Sequence, residues 1–206
     1  IGDGDSPAGA AGTGHLFQEL SNMSSDLQVY RAIIQTDLQA FLEGAFPVVD
    51  NRWPLEVAPY LEYLLNELTG VAEGHETRLI INLPPRHLKS VLTSIVFVAW
   101  LLGRDPRQRI AVISHSQALA FDLASKTLQL INSEFYQRAF PGLRLRDNGR
   151  KAMDFVTTEG GGRYAASFET GITGRGFDII IIDDPISAHH VKSDKERANV
   201  NENLTR

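Results

Sequence analysis

Four consecutive isoleucines at residues 179–182 constrain the fold more than any other feature of the sequence. They follow Asp178 and precede two aspartates, Asp183 and Asp184. A β-branched run without polar alternation is typical of a strand covered on both faces, as in a parallel sheet. The run therefore predicts an α/β fold in which residues 178–182 form a central strand with two carboxylates at its carboxyl end.

The segment after Gly74 alternates short apolar runs with helical patterns, which indicates strands and helices in succession. The predicted strands are 79–83, 109–114 and 178–182; the predicted helices are 89–102 and 117–132, the second capped by Ser116; and residues 155–158 and 163–168 form a hairpin around three glycines. A final polar helix is predicted from about Ser193.

The residues before Gly74 predict two helices. One begins near Ser24 and ends at Gly44, and the other extends from about Glu56 to Gly70. We expect a disordered tail at residues 1–20, an N-terminal helical cap or linker subdomain at 21–74 and a core domain at 75–206. The alternative is that the two helices only pack on that core.

Composition excludes several classes of protein. Twenty basic and 25 acidic residues give a net charge of −5, which argues against a protein that coats nucleic acid through bulk positive charge. The chain has no cysteine, and this excludes disulfides, thiolate metal sites and a cysteine nucleophile. The longest apolar run, residues 91–102, is shorter than the roughly 20 residues that cross a bilayer, so we expect no membrane partner.

The sequence LPPRHLKS at residues 83–90 lies between a predicted strand and a predicted helix. In this position helix N-terminal amides can bind phosphates, Lys89 can reach the outer phosphates and the Ser90 hydroxyl can bind magnesium. Leu83 and Leu88 stand where a GxxxxGK loop has glycines, which predicts a loop with fewer accessible conformations. The alternative is an exposed lysine at a helix start.

The two aspartates after the isoleucines have the chemistry to complete such a site. Asp183 is suited to hold Mg²⁺, and Asp184 to orient or deprotonate an attacking water. The alternative is that they cap a turn at Pro185. Lys89 and Asp183 are 94 residues apart (183 − 89), with the strand at 109–114 between them, a spacing that fits ATPases with an inserted strand better than small-molecule kinases.

Several motifs together resemble the ATPase domain of the large terminase subunit of tailed bacteriophages and prophages. These are LPPRHLKS, SHSQALAFDLA, FVTTEGGGRYAASF and TGITGRGFDIIIIDDP, in that order. The resemblance covers about residues 52–197. It implies a P-loop NTPase fold of the ASCE or RecA-like type, with a mainly parallel sheet covered by helices and incomplete at its C-terminal end.

The resemblance also implies a function: a Mg²⁺-dependent ATPase that drives double-stranded DNA into a procapsid. The implied partners are DNA, a portal ring, a small terminase subunit and further copies in a ring, in the cytoplasm of a bacterial host and not in the mature virion. Because the sequence ends about twenty residues after Asp184, we expect a truncated ATPase core, and endonuclease activity only in a longer protein.

Residue roles follow from the same resemblance. Residues 85–90 (Pro85, Arg86, His87, Leu88, Lys89 and Ser90) form a deviant Walker A loop that binds ATP. Within it Arg86 is a γ-phosphate sensor or arginine finger, and Ser90 binds the metal together with Asp183, the Walker B aspartate. Asp184 takes the position of the catalytic glutamate.

Two further assignments leave alternatives open. Arg175 could act on a neighbouring subunit's ATP or contact DNA phosphate, or it could pair with Asp178 or Asp184 within the fold. No glutamine occurs between residues 51 and 83 to read adenine, so Trp53 or Tyr60 could stack on the base instead.

Two other functions fit parts of the pattern. A helicase-type ATPase would share both motifs and unwind strands. An inactive prophage remnant would bind nucleotide without turning it over.

Overall fold

The computed structural model describes residues 25–146, 153–167, 176–186, 193–195, 198 and 201–202. These residues form an α/β structure with an open four-stranded mixed sheet and about six helices. The helices are α1 (25–36), α2 (Leu38–Val49), α3 (Pro59–Ala72), a continuous segment made of α4 (Lys89–Val91), a π-helix (Leu92–Val96) and α5 (Phe97–Arg104), then α6 (Gln117–Ile131) and α7 (Glu134–Ala139). The strands are β1 (Arg109–Ser114), β2 (Asp154–Val156), β3 (Gly162–Ser167) and β4 (Ile179–Asp183).

The sheet has the order β2-β3-β1-β4. Strand β1 pairs in parallel with β3 and β4, and β2 pairs antiparallel with β3, which confirms the predicted hairpin. The prediction that the isoleucine strand is central is wrong for the described residues, because β4 lies at the edge of their sheet. Ile180 and Ile182 are accordingly 53% and 40% exposed, whereas the β1 residues 110–112 are fully buried.

The strand predicted at residues 79–83 is absent: this described segment is extended but pairs with no strand in the described part of the chain. Its side chains alternate. Leu79, Ile81 and Leu83 pack against the apolar core, while Ile80 is 88% exposed. The alternating apolar pattern that predicted a strand therefore reflects the packing of one side of this segment against the core. It does not reflect backbone pairing within a sheet.

The first predicted helix is two helices. Asp37 interrupts it and caps α2, because its carboxylate accepts hydrogen bonds from the amides of Gln39 and Ala40. Gly44 does not end the helix, which continues to Val49. A Cβ at Gly44 would overlap the ring of Phe135, so the glycine allows α7 to approach closely.

Helices α2, α3, α5 and α6 share one apolar core with the buried face of the sheet. Trp100 lies in it and donates its ring N–H to the carbonyl of Ile34 at 3.1 Å, and the Tyr136 hydroxyl donates to the carbonyl of Ala99 at 2.7 Å. The short helix α7 was not predicted. The helix α6 and its cap are confirmed, since the Ser116 hydroxyl accepts from the Leu119 amide.

The apolar segment 89–104 is the most buried helix, as expected for a helix inside a core. Within the described ranges no helix has the length and apolarity needed to cross a bilayer. Most of the helix predicted from Ser193 lies outside the described residues.

Candidate active site

The loop before α4 is held in a strained backbone conformation. Arg86 and Leu88 have φ values of 67° and 60°, in the left-handed region that glycine adopts without cost. For other residues this conformation costs roughly 1–2 kcal/mol. Leu88 thus adopts a glycine-like conformation at the position where a GxxxxGK loop has its second glycine, and its partly buried side chain packs against the core. Left-handed residues of this kind are concentrated at functional sites.

The loop leads directly into the N-terminus of the segment 89–104. No side chain of the described residues caps this end, so amides of its first turn have no such partner there and can bind a ligand. The segment widens into the π-helix after one turn, a feature frequent at functional sites. An uncapped helix N-terminus attracts anions through its free N–H groups and the helix dipole.

The two aspartates end β4 next to this helix start. Asp183 is 2% exposed, and Asp184 follows it with a φ of 47°. His115, just after β1, contacts the Asp184 carbonyl oxygen through Nδ1 at 3.1 Å. The left-handed turn at Asp184 and the contact with His115 fix the direction in which the chain leaves the strand.

Lys89 joins the helix start to the strand end. Its Nζ donates a hydrogen bond to Asp184 Oδ1 and lies 3.4 Å from Asp183 Oδ1. Burial alone would lower the pKa of Lys89, but the hydrogen bond to Asp184 and the two carboxylate charges outweigh it, so that the pKa is raised. The ammonium therefore stays charged at neutral pH and compensates the buried carboxylate.

Ser94 is a second partner of Asp183 that the sequence reasoning did not assign. Its buried hydroxyl donates to Asp183 Oδ2 at 3.1 Å and lies 3.3 Å from the Thr93 hydroxyl. The only sign in the sequence is that this polar pair interrupts the apolar run at residues 91–102. Ser94 and Lys89 thus hold the two oxygens of Asp183 from one helix.

A cavity of about 1280 Å³ opens over these groups. Every residue of the predicted loop, 85–90, lines it together with Asp184, and eight residues between positions 50 and 60 also contribute to its lining. Its volume exceeds the roughly 300–1,000 Å³ of common ligand pockets. Asp183 lies below the surface of the cavity, where Lys89 contacts it.

Of the two predicted arginines, Arg86 and Arg175, only Arg86 is among the described residues. Arg86 is exposed on the cavity and forms no hydrogen bond or ion pair with any residue that the structure describes. Arg175 lies outside the described residues. Arg163 is fully buried in β3, and burial lowers its pKa to about 9 although the charge of Asp154 opposes this. Arg163 therefore cannot reach a ligand in the cavity.

The donors at this site fit a metal that a phosphate ligand brings with it. Mg²⁺ in nucleotide enzymes is bound by one or two carboxylates and a hydroxyl together with phosphate oxygens. Ser90 and Asp184 line the cavity, and Asp183 lies beneath it in contact with Lys89 and Ser94, so the residue types present match that set. The described residues contain no cluster of three acidic, histidine or cysteine ligands that would hold a metal by themselves.

No protein-family model matches the chain, and no curated protein is significantly similar to it. The interpretation of the site therefore depends on its own geometry.

Proposed function

We propose that the chain is the Mg²⁺-dependent ATP-hydrolysing motor domain of a phage or prophage large terminase subunit, with a P-loop NTPase fold. The observation that supports the ATPase assignment is the contact of Lys89 with both Asp183 and Asp184 at one cavity. A lysine at a helix start, opposite two carboxylates at a strand end, is the arrangement that binds and hydrolyses a nucleoside triphosphate.

Lys89 would change partners when ATP binds. In the free protein its ammonium is held by the two carboxylates. A triphosphate at the helix N-terminus brings more negative charge than Asp184 alone, so the lysine would turn toward the β- and γ-phosphates. Asp184, whose side chain is 54% exposed, would then be free to contact water.

Hydrolysis then needs a water opposite the leaving group. Asp184 would orient this water and accept its proton while the water oxygen bonds to the γ-phosphorus. The bond from the γ-phosphorus to the β–γ bridging oxygen breaks, and ADP and phosphate leave. Lys89 and the exposed Arg86 would stabilise the charge on the phosphoryl oxygens. Asp183 and Ser90 would hold Mg²⁺, which neutralises phosphate charge when bound.

The terminase assignment adds partners to this chemistry. It is supported by the order of the motifs that resemble that family. On this proposal the domain works in a ring on a portal, with double-stranded DNA and a small terminase subunit, in the bacterial cytoplasm.

Two variants test the ATPase. Lys89→Ala should abolish ATP binding measured by calorimetry, at a temperature where circular dichroism shows that the variant is folded. Asp184→Asn should keep binding and lose phosphate release. Lys126→Ala, which removes an exposed lysine of α6, is the control and should change neither. Equal ATP affinity in Lys89→Ala and the unmodified chain would refute the loop assignment.

Phosphate release by the unmodified chain decides between the motor and the inactive remnant. Binding without turnover would favour the remnant. ATP-dependent strand separation would instead favour the helicase.

A further inference from the structure

One part of the cavity lining, contributed by residues between 50 and 60 and called the aromatic wall, carries two aromatic side chains and has no role in the proposed hydrolysis. Trp53 and Tyr60 both line this wall. Trp53 is 76% exposed and lines the cavity, so most of its ring surface is open to a ligand there. We propose that this wall stacks on the base of the nucleotide, so that the ligand class is a nucleoside triphosphate with weak preference among bases. The inference rests on the proposed function.

A turn held by side-chain hydrogen bonds immediately precedes Trp53. Asp50 caps the end of α2 through its backbone N–H to Phe46, and its carboxylate accepts two hydrogen bonds from the Arg52 guanidinium at 2.9 and 2.7 Å. The same carboxylate accepts from the Arg52 amide at 3.2 Å. These bonds close a turn immediately before Trp53, and backbone that is ordered before binding loses less entropy when a ligand binds.

Tyr60 connects the aromatic wall to the phosphate loop. Its ring meets that of His87 edge to face, with centroids 5.6 Å apart. The His87 Nδ1 lies 3.0 Å from the carbonyl oxygen of Pro85, a contact in which the ring nitrogen must donate because the carbonyl only accepts. A base against Tyr60 would therefore lie at the side of the loop that binds the phosphates.

Stacking explains why base preference should be weak. Every base has a π-face, and stacking on an aromatic side chain is tolerant of base identity. Removing one such aromatic weakens binding by about 1–3 kcal/mol per base, which corresponds to about 5- to 150-fold, and we expect about tenfold weaker binding for Trp53→Ala. The phosphates are assigned to the loop at residues 85–90, so the affinity for tripolyphosphate should not change in this variant.

The fluorescence of Trp53 can itself report ligand binding. The chain has two tryptophans, and Trp100 is fully buried in the core, so a ligand in the cavity should alter the emission of Trp53 alone. Titrations would use MgATP, MgGTP and magnesium tripolyphosphate with the unmodified chain, Trp53→Ala, Tyr60→Ala and the conservative Trp53→Phe. Calorimetry would give the affinities of the variants that lack the reporter. Tyr63→Ala is the matched control, since Tyr63 is an exposed aromatic of α3 that does not line the cavity.

The inference is supported if ATP and GTP quench Trp53 emission, if Trp53→Ala weakens both nucleotides about tenfold but leaves tripolyphosphate unchanged, and if Trp53→Phe and Tyr63→Ala bind normally. It is overturned if tripolyphosphate and ATP bind the unmodified chain equally well. That result would still be compatible with the proposed phosphate-binding loop. It is also overturned if Trp53→Ala and Tyr60→Ala both keep full ATP affinity, or if ATP is strongly preferred over GTP. Failure of all three ligands to bind would refute the ATPase proposal together with this one.

Discussion

The buried carboxylate of Asp183 makes the stability of the free protein depend on Lys89. Lys89→Met keeps the length of the side chain and removes its charge, and leaves Asp183, 1% exposed in its side chain, with the Ser94 hydroxyl as donor. Removing one partner of a buried pair costs about 3–5 kcal/mol. Because the Lys89 side chain is itself 24% exposed, we expect the lower end, a loss of about 3 kcal/mol in the free energy of unfolding.

The assay is thermal and urea unfolding of four proteins: the unmodified chain, Lys89→Met, Asp183→Asn and the double variant. For a chain of this length each kcal/mol shifts Tm by about 2–4 °C, so Lys89→Met should unfold about 6–12 °C lower. The double variant should recover most of the loss, because it has no unpaired carboxylate. Lys126→Met breaks an exposed pair with Asp122 and should change stability by less than about 0.5 kcal/mol.

The pH dependence gives an independent check. Since the pKa of Lys89 is raised above 10.5 in the folded state, its contribution is complete below pH 10.5 and is lost as the pH rises through the folded value. The difference between the unmodified chain and Lys89→Met should therefore be constant up to about pH 10 and shrink above it. The reasoning is refuted if Lys89→Met unfolds like the unmodified chain, or if the two single losses simply add in the double variant.

Three further predictions concern the backbone and the core. Arg86→Gly should be more stable than Arg86→Ala by about 0.5–1 kcal/mol in thermal unfolding, because both lose the exposed side chain and only glycine relieves the φ of 67°; equal Tm values would contradict this. Arg163→Met should raise the free energy of urea unfolding at pH 7 by about 1 kcal/mol or more, since the guanidinium nitrogens are buried without a hydrogen-bond partner among the described residues. The unmodified chain should gain stability above about pH 9, where only the unfolded arginine keeps its proton, and the variant should lack this gain. Gly161→Ala should cost about 2–3 kcal/mol, because its Cβ would overlap the backbone of residues 106–108, whereas Gly142→Ala meets no atom within 4 Å and should be neutral in the same unfolding experiment.

Elements with strong local signals were predictable from the sequence. The apolar run at residues 109–114 predicted β1, and the cap at Ser116 followed by a helical period predicted α6; both elements are present. The meeting of Lys89 with Asp183 and Asp184 was also predictable, because in open α/β sheets the loops that open helices lie at the carboxyl ends of parallel strands. This contact forms although the strand predicted before the loop is absent from the described sheet.

Other features depend on tertiary contacts that a local pattern does not contain. Gly44 was interpreted as a helix end, whereas the ring of Phe135 accounts for the glycine. Residues 79–83 have the apolar period of a strand, but a period does not specify a pairing partner. Ser94 could not be assigned from the sequence, because its partner Asp183 is 89 residues away and only the fold brings the two together.

The exposed isoleucines of β4 have a consequence for the chain before it is folded. Four β-branched residues in succession form the kind of segment that aggregates when it is transiently uncovered, and edge strands are where other chains add. Asp178, Asp183 and Asp184 flank this segment on both sides. Such charges act as gatekeepers by repelling neighbouring copies during synthesis and folding. The carboxylates that we assign to metal and water would thus protect the nascent polypeptide from self-association before there is any site for them to serve.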